Sequence, residues 1–207
     1  LITGKIIAVS KLNALPEFYP PTRTTWRTWL AKNHASQQGV WVICYKKGSN
    51  QPTISYNELV EEALCYGWVD SKPNKIDAQK FKLLVSPRKP RSVWSAANKV
   101  RVAQLTAAGL MTPAGQAKID FARENGTWDA LNASDAMTIP PDLGVAFKRH
   151  KGSAKFFDAF PPSTKKAILQ WINSAKTPQT RAKRLEETAS KAAQNVRANQ
   201  WAPKATG

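Results

Sequence analysis

Residues 55–70 read Ser-Tyr-Asn-Glu-Leu-Val-Glu-Glu-Ala-Leu-Cys-Tyr-Gly-Trp-Val-Asp, and this stretch decides the fold. Ser55 and Glu58 stand at the spacing where each side chain satisfies a backbone amide left free at a helix start. Leu59, Val60, Ala63 and Leu64 then form one apolar face, and Gly67 is placed to end the helix. Trp68-Val69-Asp70 returns as a strand. A helix that turns straight into a strand implies a small sheet with helices packed on it.

Outward from this centre the signals continue. Trp26, Trp29 and Leu30 repeat at helical spacing from Thr24, and that helix fades near Asn33 and His34. Gly39 opens the β-rich run VWVICYKK. On the other side, Ser71 to Asn74 reads as a turn and FKLLV at 81–85 as a strand. Pro87 and Pro90 make 86–91 an extended basic loop, because proline removes amide donors and biases the preceding residue away from helix. Ser92 is placed to cap a helix running from Val93 through Ala97 and Val100 to Gly109. A second helix starts at Thr112-Pro113 and stops at Gly126, which makes an antiparallel helical hairpin.

Pro140 and Pro141 separate a helical tail, with helices at 143–147, 154–160, 163–175 and from Thr180 to about Gln200. Leu185, Ala189, Ala192 and Val196 form the apolar stripe of the last one. The expected class is α+β: a small β-sheet packed by helices, then a helical hairpin, then an all-helical C-terminal subdomain. The expected organisation is an N-terminal arm at 1–23 with a short strand at Ile6 to Val9, a core with the hairpin at 24–135, and the helical subdomain at 136–207.

Charge is the loudest compositional signal. The 207 residues carry a formal net charge of +17, and it is uneven. Residues 71–101 hold nine Lys and Arg against Asp77, and 148–204 hold thirteen against Asp158, Glu186 and Glu187. Clustering of this kind raises the local potential for phosphate or nucleic acid, although a solvated basic surface is the plainer explanation. No apolar run approaches the ~20 residues of a membrane span, and the opening lacks the layout of a secretory signal. Cys44 and Cys65 lie in apolar surroundings and read as reduced, buried thiols. His34 and His150 add no metal-ligand spacing, so no metal and no cofactor is expected. The expected location is cytoplasmic, or nuclear if the source is eukaryotic.

Four blocks carry a resemblance: EEALCYGWVDSK at 61–72, SPRKPRSVWSAANK at 86–99, LMTPAGQAKID at 110–120 and SAKTPQTRAKRLEE at 174–187. In this order they resemble the YdeI/OmpD-associated family, over about 24–200. The resemblance implies an association with bacteriocin protection and stress phenotypes, without an agreed biochemical activity.

The candidate site gathers Tyr56, Trp68, Asp70, Arg88, Lys89, Trp94, Ser95 and Asn98, which short connections can bring to one side of the sheet. Flat rings beside cations suit a planar anionic ligand such as a nucleotide, or a splayed base with its phosphate. Each member also has a structural reading. Glu58 is a cap rather than a catalyst, Asp70 an ion-pair partner that fixes the loop, and Trp68 and Trp94 core residues. Cys65 lacks a neighbouring base. The catalytic residues, if any, are unknown.

The leading expectation is therefore a binding module, more a binder than an enzyme. It would engage a polyanion, DNA or RNA with little sequence preference, through Lys72, Lys75, Arg88, Lys89, Arg91 and the tail pair Arg181 and Arg184. One alternative is an enzyme or sensor for a small planar anion around Asp70, Arg88 and Trp94. Another is a protein-partner role in stress tolerance.

Overall fold

In a computed structural model of the chain, residues 14–200 are described; the strand expected at Ile6 to Val9 lies outside them. Two compact units meet in sequence between Asp129 and Ala130.

The first unit is built on a four-stranded sheet of order β1-β2-β4-β3. Its strands are β1 (Glu17–Phe18), β2 (Val40–Tyr45), β3 (Trp68–Lys75) and β4 (Lys80–Pro87). β1 runs parallel to β2, and the other pairs are antiparallel. Helices α1 (Arg23–Asn33), α2 (Tyr56–Cys65), α3 (Ala96–Ala107) and α4 (Pro113–Glu124) complete the unit. This is the expected α+β class.

α2 is the hub. Its start carries the full reciprocal cap between Ser55 and Glu58, so the Glu58 carboxyl is committed there and held below its ordinary range by its hydrogen bonds to Ser55. Leu59, Val60, Ala63, Leu64 and Cys65 are buried, together with Trp26, Leu30, Val42, Leu83 and Val85. The buried Trp26 indole donates to the Leu59 carbonyl at 3.1 Å, which spares a polar group from burial without a partner. Both α3 and α4 pack against α2. The α4 approach is close: a Cβ on Gly115 would lie 2.2 Å from the Cys65 carbonyl oxygen.

Two local expectations are corrected. The turn placed at 71–74 falls at 76–79 instead, where the Asp77 carboxylate accepts from the amides of Gln79 and Lys80. β3 runs through the earlier segment by a bulge between Asp70 and Pro73. As an edge strand it tolerates a proline that has no amide to donate. The helix after the basic loop is capped by Ser95 rather than Ser92, its hydroxyl accepting from the Asn98 amide at 3.3 Å. The segment between is held back because the Val93 carbonyl accepts from Arg88 at 2.8 Å.

The second unit is all helical: α5 (Asn132–Asp135), α6 (Pro141–Arg149), α7 (Ser153–Asp158), α8 (Pro162–Asn173) and α9 (Pro178–Ala193). α5 lies against α8, tied by the Asn173 amide to Ser134 at 3.2 Å. Leu143, Phe157, Ile168, Leu169, Ile172, Leu185 and Ala189 form its core. The last helix ends at Ala193, not near Gln200, because Asn195 adopts a left-handed φ of 56°. Val196 consequently leaves the expected stripe and is exposed. Among the described residues no helix is long and apolar enough to cross a membrane, and no three metal-ligating side chains come together.

Candidate functional site

The site grows from the short link between α2 and β3. Gly67 takes a φ of 72°, as a helix end needs, and its carbonyl accepts the Arg88 amide at 2.9 Å. This ties the basic loop to the end of α2. Asp70 pairs in register with the buried Val85, so its side chain turns to the helix-bearing face, where Tyr56 donates its phenol to Oδ2 at 2.8 Å. Partial burial, then the hydrogen bond and charge of Asp70, push the Tyr56 phenol up, against Arg101.

Arg88 is 4% exposed. One face of its guanidinium lies 3.7 Å from the centroid of the Trp94 ring, and Nη2 donates to the Val93 carbonyl. Nη1 is buried with no acceptor among the described residues. Burial pushes the group down to about 10, opposed by the charge of Asp70, so it remains a cation at neutral pH. Trp94 is itself buried and packs at 5.0 Å against Trp128.

Arg88 and Trp94 line a cleft of about 230 Å³ together with Lys89, Pro90, Lys118 and Phe121. Asn125 fixes the loop across it by donating to the Pro90 carbonyl at 3.0 Å. Its walls are mainly ring and aliphatic surface, with lysines alongside the buried guanidinium.

The expected constellation is thus divided. Arg88, Lys89 and Trp94 share the cleft. Tyr56 and Asp70 form their own pair outside its lining, joined to it through the field of Asp70 on Arg88. Asn98 accepts from Arg101, which also binds Asn57, and Ser95 caps α3. Trp68 is a core residue, 1% exposed, with its indole donating to the His34 carbonyl.

Among the cations, Lys75 and Arg91 are exposed, as is Lys89 at the cleft; the Lys72 side chain lies outside what the structure describes. Arg181 and Arg184 are both engaged by partners within the second unit. Arg181 holds the Asp142 carboxylate through two bonds of 2.6 and 3.0 Å. Arg184 binds the Trp171 carbonyl and Ser174 while lying over the Trp171 ring at 5.0 Å. Each guanidinium closes off the end of α8, whose last carbonyls have no partner within the helix.

Cys44 and Cys65 are free, buried thiols. Burial pushes Cys44 up to about 11 and raises Cys65, with Glu62 adding to the second shift. Thiols held in this form are poor nucleophiles.

Reading the sequence missed the wall supplied by α4. Phe121 stays 45% exposed and Lys118 stands beside it, yet their helix is separated from Arg88 by the whole of α3. The one available signal was a large apolar side chain on the polar side of an amphipathic helix.

Residues 136–195 match the model of the family described as Bacteriocin-protection, YdeI or OmpD-Associated, and residues 18–118 match a domain of unknown function, DUF8412. No curated protein and no solved structure shows a significant match to the chain. Of the four blocks that carried the resemblance, that at 174–187 falls inside the first match and those at 61–72 and 86–99 inside the second. The match over residues 136–195 is thus to the same YdeI/OmpD-associated family that the four blocks resemble.

Proposed function

We propose that the first unit is a binding module for a small anion with a flat apolar body, held in the Arg88–Trp94 cleft. The observation that carries this reading is the Arg88 guanidinium, buried and stacked on Trp94, with Nη1 lacking an acceptor. A buried donor without a partner costs about 1–3 kcal/mol, and a ligand oxyanion supplies the missing acceptor. Charge-assisted bonds of this kind are about twice as strong as neutral ones. Phe121 and Pro90 offer surface to the ligand's body.

Size narrows the ligand. Sites for drug-sized molecules span about 300–1,000 Å³, and the cleft holds about 230 Å³. A single-ring carboxylate fits this better than a whole nucleotide. Benzoate should raise the melting temperature of the full chain, and benzyl alcohol, which lacks the charge, should not. Equal response to both, or to neither, rejects the reading.

A second reading keeps the polyanion. Lys75, Lys89 and Arg91 are exposed and form no ion pair among the described residues, which leaves them able to replace counterions along a nucleic acid. Binding of a single-stranded oligonucleotide would then weaken steeply between 50 and 200 mM salt, roughly in proportion to the phosphates engaged. Affinity independent of salt removes it. A role in bacteriocin protection is supported by the family description of residues 136–195 alone.

A further inference from the structure

A second cleft, of about 470 Å³, opens along α1 and is lined by Arg23, Thr28, Lys32, Glu62, Tyr66 and Leu110, among others. Its floor is a buried ion cluster. Glu62 is 1% exposed, and its two oxygens accept from Arg23 Nε and Arg27 Nη1, each at 2.6 Å. Arg23 Nη1 also reaches Glu61 at 2.9 Å, and Arg27 Nη2 donates to the Leu110 carbonyl at 2.9 Å. Both guanidinium groups are thereby fixed from below, and Arg23 Nη2 is left buried without an acceptor among the described residues.

The rim adds donors that have no counterpart among the described residues. Thr24, Thr28 and Lys32 follow at intervals of four along α1, so they lie on one face, and all three are exposed. Lys32 forms no ion pair among the described residues. Arg23, Arg27 and Lys32 stand against Glu61 and Glu62, which leaves one positive charge in excess.

We infer that this cleft is an oxyanion site separate from the Arg88 cleft, and that it takes the phosphate group of a small phosphomonoester. The pattern of free donors selects the geometry. A planar carboxylate is best recognised by two parallel donors on one edge of an arginine. Here Arg23 is engaged through Nε and Nη1, and Arg27 through Nη1 and Nη2, so neither retains an edge with both nitrogens free. What remains are single donors on separate side chains: Arg23 Nη2, the Lys32 ammonium and the threonine hydroxyls. These match a tetrahedral oxyanion, whose acceptors also point apart. The volume lies within the usual range for ligand sites, which leaves room for an organic body against Tyr66 and Leu110.

The test uses the full chain, isotopically labelled, titrated with inorganic phosphate and then with phenyl phosphate at constant ionic strength set by chloride. Amide resonances of Thr24, Thr28 and Lys32 should shift with both, and phenyl phosphate should bind more tightly. Lys32→Gln should weaken phosphate binding about tenfold, the loss of one charge-assisted bond, while melting unchanged in its absence. Thr28→Val should weaken it less. Shifts that are absent, or that persist unaltered in Lys32→Gln, overturn the inference. So does benzoate shifting the same amides as strongly as phosphate. Because the readout is on α1, failure of benzoate to bind near Arg88 leaves this result independent.

Discussion

Arg88 and Trp94 are stacked at 3.7 Å with both side chains buried. A cation is thus kept out of water by a ring and one backbone carbonyl, with no carboxylate within ion-pairing distance among the described residues. Burial of this kind disfavours the charge. An anion entering the cleft, as proposed, would offset that cost, so affinity and stability would draw on the same group.

Arg88→Lys separates charge from shape. The ammonium keeps the positive charge but lacks the flat face and the fork of donors. Binding of a ring carboxylate should fall about tenfold or more, by the worth of one charge-assisted bond, while the chain remains folded. Calorimetric titration with benzoate, beside circular dichroism, checks both halves.

Two glycines should respond in opposite senses to alanine. At Gly115 the new Cβ meets the Cys65 carbonyl at 2.2 Å and the Met111 sulfur at 2.6 Å, so α4 must move off α2, at about 1–3 kcal/mol or more. At Gly144, inside α6, nothing among the described residues lies within 4 Å of an added Cβ, and the gain in helix propensity should stabilise by about 0.5–1 kcal/mol. Denaturant unfolding of each variant reads the sign.

The Arg181–Asp142 pair should carry acid sensitivity in the second unit. The hydrogen bond from Arg181, then its charge, holds the Asp142 carboxyl below its ordinary 3.8, against partial burial. A folded value below the unfolded one means that the stabilisation is present above about pH 3.8 and is lost as pH falls through the lower folded value. Both side chains are partly exposed, so solvent screening limits it to about 0.5–1 kcal/mol. Asp142→Asn should be less stable than the wild type at pH 7 and indistinguishable from it at pH 2, as followed by thermal unfolding.

Removing Arg184 should act on structure rather than on nucleic acid. Its bonds to the Trp171 carbonyl and Ser174 hold the end of α8. Arg184→Ala should lower stability by about 1 kcal/mol and leave oligonucleotide affinity unchanged, as measured by fluorescence anisotropy.

Much of the fold was legible because its signals are local. The Ser55–Glu58 box, Gly67 and Thr112-Pro113 each set a boundary through chemistry within a few residues. The turn at 76–79 was missed because an edge strand can absorb Pro73 through a bulge, so the proline marked an edge and not an end. The site was legible in part for the same reason. Arg88 and Trp94 sit six residues apart, whereas Phe121 reaches the cleft by the packing of α4 on α2, which no spacing reveals. Arg181 and Arg184 looked free because Asp142 and the end of α8 are brought to them by tertiary packing.

The most direct measurement is a benzoate titration followed through the indole N–H resonance of Trp94, in the wild type and in Arg88→Lys. A saturable shift is expected in the wild type that is lost, or moved to at least about tenfold higher concentration, in the variant. A Trp94 resonance that does not respond, or that responds equally in both proteins, contradicts it.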